Sequence, residues 1–349
     1  MQKIFSIFIL LVLISCKNDD FESAYEDVNE PYSFEIPSNF PEMHYNLEHN
    51  PLTTKGVELG RKLFYDGRLS STNIVSCAFC HEQPHAFTHH NHNLSHGVHD
   101  RVGRRNTSAT QNLAFQPWFF FDGATSNLDT VSILPIHDEN EMDETIPNII
   151  EKLSEDSAYQ KLFHQAFEDG EVNSTNMMMA LSQFMVIMTS SDSKYDKYVR
   201  GEPGGELTPK EAYGLELFND KCRSCHATDL FTDHQFRNNG LPVNPNLNDK
   251  GRAEVSGNPN DDYKFKVPSL RNIELTWPYM HDGRFGSLES VLLHYRNNVQ
   301  DFPNLDPILR TENGLGIEMT DEEMEAIIEF LKTLTDYEFI TNDELYFRT

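Results

Sequence analysis

Cys77-Ala78-Phe79-Cys80-His81 recurs downstream as Cys222-Arg223-Ser224-Cys225-His226, and the reading of this pair decides the fold. C-x-x-C-H is the attachment motif of c-type haem. Its two thiols bond the porphyrin edge, and the adjacent histidine reaches the iron as an axial ligand. Zinc would ask for further Cys or His at ligand spacing and has no need of a histidine after each second cysteine. A thioredoxin-like turn explains one such motif poorly and two worse. The two copies use four of the five cysteines in the 349-residue chain. Two covalently bound haem c groups are therefore expected, attached through Cys77, Cys80, Cys222 and Cys225, with His81 and His226 as iron ligands.

The flanking sequence repeats as well, which is the signature of a duplicated unit. Gly60-x-x-Leu63-Phe64-x-Asp66 matches Gly214-x-x-Leu217-Phe218-x-Asp220. Further on, Asn112-Leu113 matches Asn272-Ile273, and Asp122-Gly123 follows at the same separation as Asp282-Gly283. Leu128-Asp129-Thr130-Val131 then matches Leu288-Glu289-Ser290-Val291. In this register Tyr295 corresponds to Pro135. Tyrosine is a haem ligand type, whereas proline offers no side-chain donor. If Tyr295 reaches the second iron, that iron is closed and the first is open to a small oxygen species. Glu141, a few residues past Pro135, is placed to reach the open face, although spacing alone also fits an exposed acid in an acidic segment.

Capping and periodicity give a mainly α fold: two tandem cytochrome c-like haem domains with long loops. Thr53 or Thr54 can cap a helix whose apolar face is Val57, Leu59, Leu63 and Phe64. Thr175 to Met188 reads as a helix with Met178, Leu181, Met185 and Met188 near one face, a pattern that suits core packing or a thioether ligand. Thr208-Pro209-Lys210-Glu211 and Thr320-Asp321-Glu322-Glu323 open two more helices with capping boxes. Gly201 to Gly205 marks the boundary between residues 51–200, the N-terminal domain, and 201–349, the C-terminal one.

The formal charge of −27 argues against a nucleic-acid surface and suits attraction of a basic partner. Residues 1–15 read as a secretory signal, with Lys3 followed by an apolar run. Leu13-Ile14-Ser15-Cys16 resembles a bacterial lipobox, so residues 16–50 are expected to be a lipidated N-terminus and flexible tether beginning at Cys16. This implies membrane association through a lipid anchor and a place in the bacterial cell envelope, periplasm-facing or on the surface. Histidines 81, 85, 89, 90, 92, 96 and 99 form an unusual run. Most of them are expected on a polar loop around the haem. Their irregular spacing leaves room for a second metal site, and His96 or His99 is a possible sixth ligand to the first iron.

Longer motifs carry a family resemblance over about Leu52 to Leu334. They are Glu58-Leu59-Gly60-Arg61-Lys62-Leu63-Phe64, Arg105-Asn106, Phe120-Phe121-Asp122-Gly123, Glu141-Met142 and Val267-Pro268-Ser269-Leu270-Arg271-Asn272. The most specific is Leu275-Thr276-Trp277-Pro278-Tyr279-Met280-His281-Asp282-Gly283. In these the chain resembles the bacterial di-haem cytochrome c peroxidases, including their MauG-type branch. The resemblance implies that Glu141 is the catalytic distal glutamate of the N-terminal, peroxide-binding haem. It implies that Asn106, Thr276 and Pro278 hold a calcium ion between the domains. Tyr295 falls where the peroxidases carry an axial methionine and the MauG-type branch carries tyrosine, with His294 or Met280 as competing ligands. Pro135 matches a distal-pocket proline of that branch.

One departure is Phe121, where the family places a tryptophan between the haems. Phenylalanine is a poor electron-hopping station, so Trp118, Trp277 or direct haem-to-haem exchange must serve instead. The implied activity is reduction of hydrogen peroxide with electrons from a small cytochrome c or cupredoxin, in a possible homodimer. The alternatives are a MauG-type oxidase of an organic or protein substrate and a non-catalytic di-haem electron-transfer lipoprotein.

Overall fold

The computed structural model describes residues 29–347, so the expected signal peptide and Cys16 lie outside the described residues. Each domain is built on one helix crossing. In the first, α1 (Thr54–Phe64) packs on α2 (Ser174–Ile187); in the second, α3 (Pro209–Lys221) packs on α4 (Asp321–Lys332). Their N-termini form as the capping residues dictate. The Thr53 hydroxyl accepts from Gly56 N–H, and Thr208 and Thr320 form reciprocal capping boxes with Glu211 and Glu323. These bonds satisfy helix N–H groups that have no partner within the helix.

The sequence repeat is a spatial repeat. A Cβ at Gly60 would overlap the Ala180 carbonyl and crowd Phe184, and one at Gly214 would overlap the Ala326 carbonyl and crowd Phe330. Glycine lets each pair of helices meet at backbone distance. The following turns then stack the same aromatic trio. Phe64 lies 5.3 Å from Phe184 and 6.1 Å from Phe87, and Phe218 lies 5.1 Å from Phe330 and 5.6 Å from Phe231. Helix α2 is buried on nearly every side, with Met178 and Met188 in the core. Strand is limited, among the described residues, to two antiparallel pairs: Phe236–Arg237 with Phe265–Lys266, and Arg310–Thr311 with Gly314–Leu315. No described helix is long and apolar enough to cross a membrane.

The domains exchange their ends. Tyr195, on the Lys194–Arg200 helix before the expected boundary, packs in the second core against Phe231 and Phe330. Conversely, Phe339 and Leu345 from the C-terminus are buried in the first core. There Gln83 donates to the carbonyls of Phe339 and Asn342, Tyr65 to that of Leu345, and Arg61 to that of Glu344. Residues 29–50 of the expected tether are not free of the globular body. From Asn29 onward the chain lies against the globular body. Tyr32 N–H pairs with Leu52 O, Tyr32 Oη donates to Glu344, and the Phe40 ring meets Phe115 edge-on at 5.1 Å. Its tyrosines and phenylalanines find apolar partners, so the segment docks despite its acidic composition.

At the join sits a fully buried ion pair. Arg271 holds Asp196 through two bonds of 2.8 and 2.7 Å, with both side chains 0% exposed. Two further guanidinium N–H groups donate to Asp229 O and Ser190 O, and the Phe40 ring lies 4.4 Å from the guanidinium carbon. Burial alone would raise the Asp196 pKa; Arg271 and Ser193 overcome it and hold the carboxyl below its usual range. Removing one member strands the other in a dry interior at a cost of about 3–5 kcal/mol. Asp196→Ala should therefore lower the urea midpoint of the haem-loaded protein sharply. A midpoint equal to wild type would show that the pair does not hold the join.

Candidate functional site

The two C-x-x-C-H turns face one continuous cavity of about 360 Å³. Cys77 and His81 line one end, Cys222, Cys225 and His226 the other, and Phe121, Lys266 and Pro278 lie among its walls. Both histidines are fixed identically. His81 Nδ1 is 2.9 Å from Phe87 O and His226 Nδ1 is 3.0 Å from Phe231 O. Phe87 and Phe231 present these carbonyls from left-handed backbone, with φ of 60° and 56°. A proton held on Nδ1 leaves Nε2 as the lone-pair donor, which is the tautomer an iron ligand requires. Burial lowers the pKa of both imidazoles and keeps them neutral.

The rest of the cavity also suits haem. Its walls are largely apolar side chains. Lys266 projects into it, pushed down to about 8 by burial, and its Nζ donates to Gln116 Oε1 at 2.7 Å. Among the described residues its hydrogen-bond partner is this neutral amide, and no carboxylate offsets the effect of burial. A buried ammonium without a counter-ion is matched by the carboxylates of a porphyrin. Each domain can thus hold one haem c.

The two ends differ on the face across from the histidines. At the first end the cavity is lined by Val131, Ser132, Pro135 and Met185, the last being the one methionine of the Met178–Met188 cluster that reaches it. Glu141 is not among the residues that line the cavity, but its charge is felt at the attachment turn: burial pushes the Cys77 and Cys80 thiols up to about 12, and the Glu141 carboxylate adds to the effect at both. The Glu141 pKa is itself raised to about 7, first by burial and then by Asp138. Its backbone is pinned, with Glu141 N–H donating to Asp138 O and Glu141 O accepting from Val98. At the second end Tyr295 and Met280 both line the cavity. A π-helical turn, His294–Asn298, follows the Leu288–Leu293 helix and carries Tyr295. Asn239 Nδ2 lies 3.5 Å from Tyr295 Oη and 3.7 Å from Met280 Sδ. Burial raises the Tyr295 pKa to about 12. His294 instead points Nε2 at Asn239 O, 3.2 Å away, and does not line the cavity.

Between the ends, Asn106 Nδ2 is 2.5 Å from Pro278 O and 3.4 Å from Met280 O, while its Oδ1 is buried without a hydrogen bond. Thr276 lines the same cavity. Exchanging the amide oxygen and nitrogen would bring Oδ1 beside both carbonyls, a donor set that fits a hard cation such as calcium. Phe121 lines the cavity, whereas Trp118 and Trp277 do not; Trp118 lies against Phe236 at 6.1 Å. His96 packs on His92 at 4.6 Å and His99 is exposed, so neither lines the cavity to close the first end. Asn239, Lys266, Phe87 and Phe231 are the residues that motif reading missed. Only the last two had a signal, as aromatic positions a few residues past each haem histidine.

Two c-type haem domains around one cavity, differing in the side chains that line their two ends, define a di-haem c-type oxidoreductase. Comparison with known proteins agrees. The di-haem cytochrome c peroxidase family model matches residues 54–204, and the cytochrome c model matches 211–335. The methylamine utilization protein MauG of Methylorubrum extorquens is 33% identical over 306 residues, covering 84% of this chain and 82% of its own. The cytochrome c551 peroxidase of Nitrosomonas europaea is 31% identical, covering 80% and 79%. A solved MauG-like protein associated with microbial copper homeostasis superposes with a TM-score of 0.80 at 28% identity, covering 90% of this chain and 99% of its own. The chain belongs to the di-haem cytochrome c peroxidase family.

With a pKa near 7, Glu141 should carry a carboxyl proton at pH 6 and lose most of it by pH 8. An infrared C=O stretch that fades over this interval and is absent from Glu141→Gln checks the assignment. A band already gone at pH 6 would return Glu141 to the ordinary carboxylate range.

Proposed function

We propose that this protein reduces hydrogen peroxide to water at its first haem end, using electrons collected one at a time at the second from a small cytochrome c or cupredoxin. The observation that carries the reading is Glu141: a carboxyl beside the Cys77–His81 turn with a pKa near the working pH, at the end where Pro135 offers no ligand. On this reading Cys77, Cys80 and His81 hold one haem c, and Cys222, Cys225 and His226 hold the other. When bound, these groups supply the redox capacity and the iron site at which peroxide is held.

The chain's own residues supply the proton chemistry. A general base works best when its pKa lies near the operating pH. Ionised Glu141 takes the proton from the peroxide oxygen nearer the haem and returns it to the outer oxygen, which then leaves as water. Two electrons and two solvent protons complete the reduction to two waters. Apolar walls keep the site dry, which strengthens the pull of each charge. Phe87 O holds His81 in the ligating tautomer throughout. At the second end Tyr295 is the distal ligand we favour. Its buried phenol, protonated on its own, ionises only where a metal cation offsets the charge. Asn106, Thr276 and Pro278 hold a calcium ion that ties the domains together beside the cavity.

Tyr295 also supports a second reading, in which peroxide oxidises the di-haem centre and the protein then withdraws electrons from an organic or protein substrate. A phenolate ligand lowers a haem's potential and so weakens uptake from a high-potential donor. Phe121 counts against that reading, because the aromatic wall between the haems is hard to oxidise.

Peroxide titration of the haem-loaded protein, with and without a reduced small cytochrome, separates the two. Steady cytochrome oxidation is expected; a long-lived oxidised state that ignores the cytochrome would favour the oxidase. Glu141→Gln should cost roughly 10²–10⁴-fold in peroxide turnover while leaving both haem spectra intact. Because the ionised form is the base, wild-type kcat/KM for peroxide should fall as pH drops through about 7, and Glu141→Gln should lose this limb. Full activity in that variant would remove Glu141 from the mechanism.

A further inference from the structure

The histidine run holds a cluster that the haem chemistry does not use. Glu82, His85 and His90 each offer a ligand atom, and the three atoms lie within 4.8 Å of one another. All three side chains are half-buried. His90 Nδ1 stands 3.2 Å from Glu82 Oε2, and the His85 and His90 rings stack at 3.9 Å with 28° between their planes. We propose that Glu82, His85 and His90 form a binding site for a divalent transition-metal ion of the zinc or copper class, separate from both haems and from the oxygen-rich site at Asn106.

The donor set is the first argument. Two imidazoles and one carboxylate select borderline cations such as Zn²⁺ and Cu²⁺ over Ca²⁺ and Mg²⁺, which prefer oxygen alone. Zinc holds histidine nitrogen at about 2.0–2.1 Å and carboxylate oxygen at about 2.0–2.2 Å, so neighbouring tetrahedral ligands stand roughly 3.4 Å apart. The His90–Glu82 separation of 3.2 Å already sits near that edge length. An ion held by both imidazoles lies in the plane of each ring, so binding turns the stacked His85 and His90 rings until their nitrogens converge beside Glu82.

Preorganisation is the second argument. Glu82 and His85 ride on one tight loop closed by its own backbone. Glu82 N–H donates to Thr88 O, His85 N–H and Phe87 N–H donate to Glu82 O, and Thr88 donates to His85 O through both its N–H and its hydroxyl. Ala86 and Phe87 hold left-handed conformations at the tip. Three protein ligands leave the remaining position for water or for a group on a partner.

The test is calorimetric titration of zinc into the haem-loaded protein, cleared of adventitious transition metal and kept in calcium to saturate the oxygen site. Wild type should take up one equivalent. The His85→Asn/His90→Asn double variant should bind at least about tenfold more weakly, the lower bound for losing even an outer-shell partner. Unchanged haem absorbance spectra report that the double variant is folded. If it fails to load haem, Glu82→Gln carries the same expectation. Wild-type protein that takes up no zinc, or variants that bind it with wild-type affinity, would overturn the proposal.

Discussion

The buried Arg271–Asp196 pair is the contact on which the relation between the two domains depends. Asp196 caps the Lys194–Arg200 helix, Arg271 lines the shared cavity, and Phe40 of the N-terminal segment lies over the guanidinium. A dry ion pair is tolerable only when every remaining donor and acceptor is filled. Here the surrounding polar groups do that filling. Ser190 exchanges bonds with Asn112, donates to Asp336 and accepts from Asn272. Gln111 donates to Arg271 O and accepts from Asn272. Asn112 and Asn272 are equivalent in the repeat and share a left-handed φ of 57° and 56°. The duplicated asparagines thus meet at the join, and the polar network that satisfies the ion pair also sets the spacing of the two haem ends.

Much of this was legible in the chain because it is local. Caps, helix faces and haem motifs depend on residues within a turn or two of each other, and the helices at Thr53, Thr208 and Thr320 start where their hydroxyls require. The internal repeat reached further, since equal spacing of Gly60 and Gly214 reflects equal helix crossings. What stayed hidden is long-range. Nothing around Phe339 or Leu345 announces that they complete the first core, and nothing around Asn239 announces that it contacts both Tyr295 and Met280. Residues 29–50 read as a linker by composition, yet a few aromatic side chains suffice to dock them.

Within the duplicated frame, the differences are few and concentrated across from the histidines. Both ends share the Gly-mediated crossing, the aromatic trio and the carbonyl that holds the histidine. One then carries Pro135 with Glu141, the other Tyr295 with Met280. A common scaffold fixes where each haem can sit, and a handful of side chains decide whether its far side is free or occupied. The relatives named as MauG and as cytochrome c551 peroxidase therefore share a fold that does not by itself select between their activities.

The exchange of chain ends has a bearing on how the two halves fold. Phe339 packs on Phe87 at 5.4 Å, and Gln83 grips the carbonyls of Phe339 and Asn342, so the loop carrying the His81 hydrogen-bond acceptor is covered by residues 256 positions and more from Gln83. The first core is therefore incomplete without residues that follow the second haem motif. Contacts so far apart in sequence form late in folding, because a long loop must close before they are made. Docking of Phe339 and Leu345 thus couples completion of the first core to that of the second, and neither half is a wholly independent folding unit.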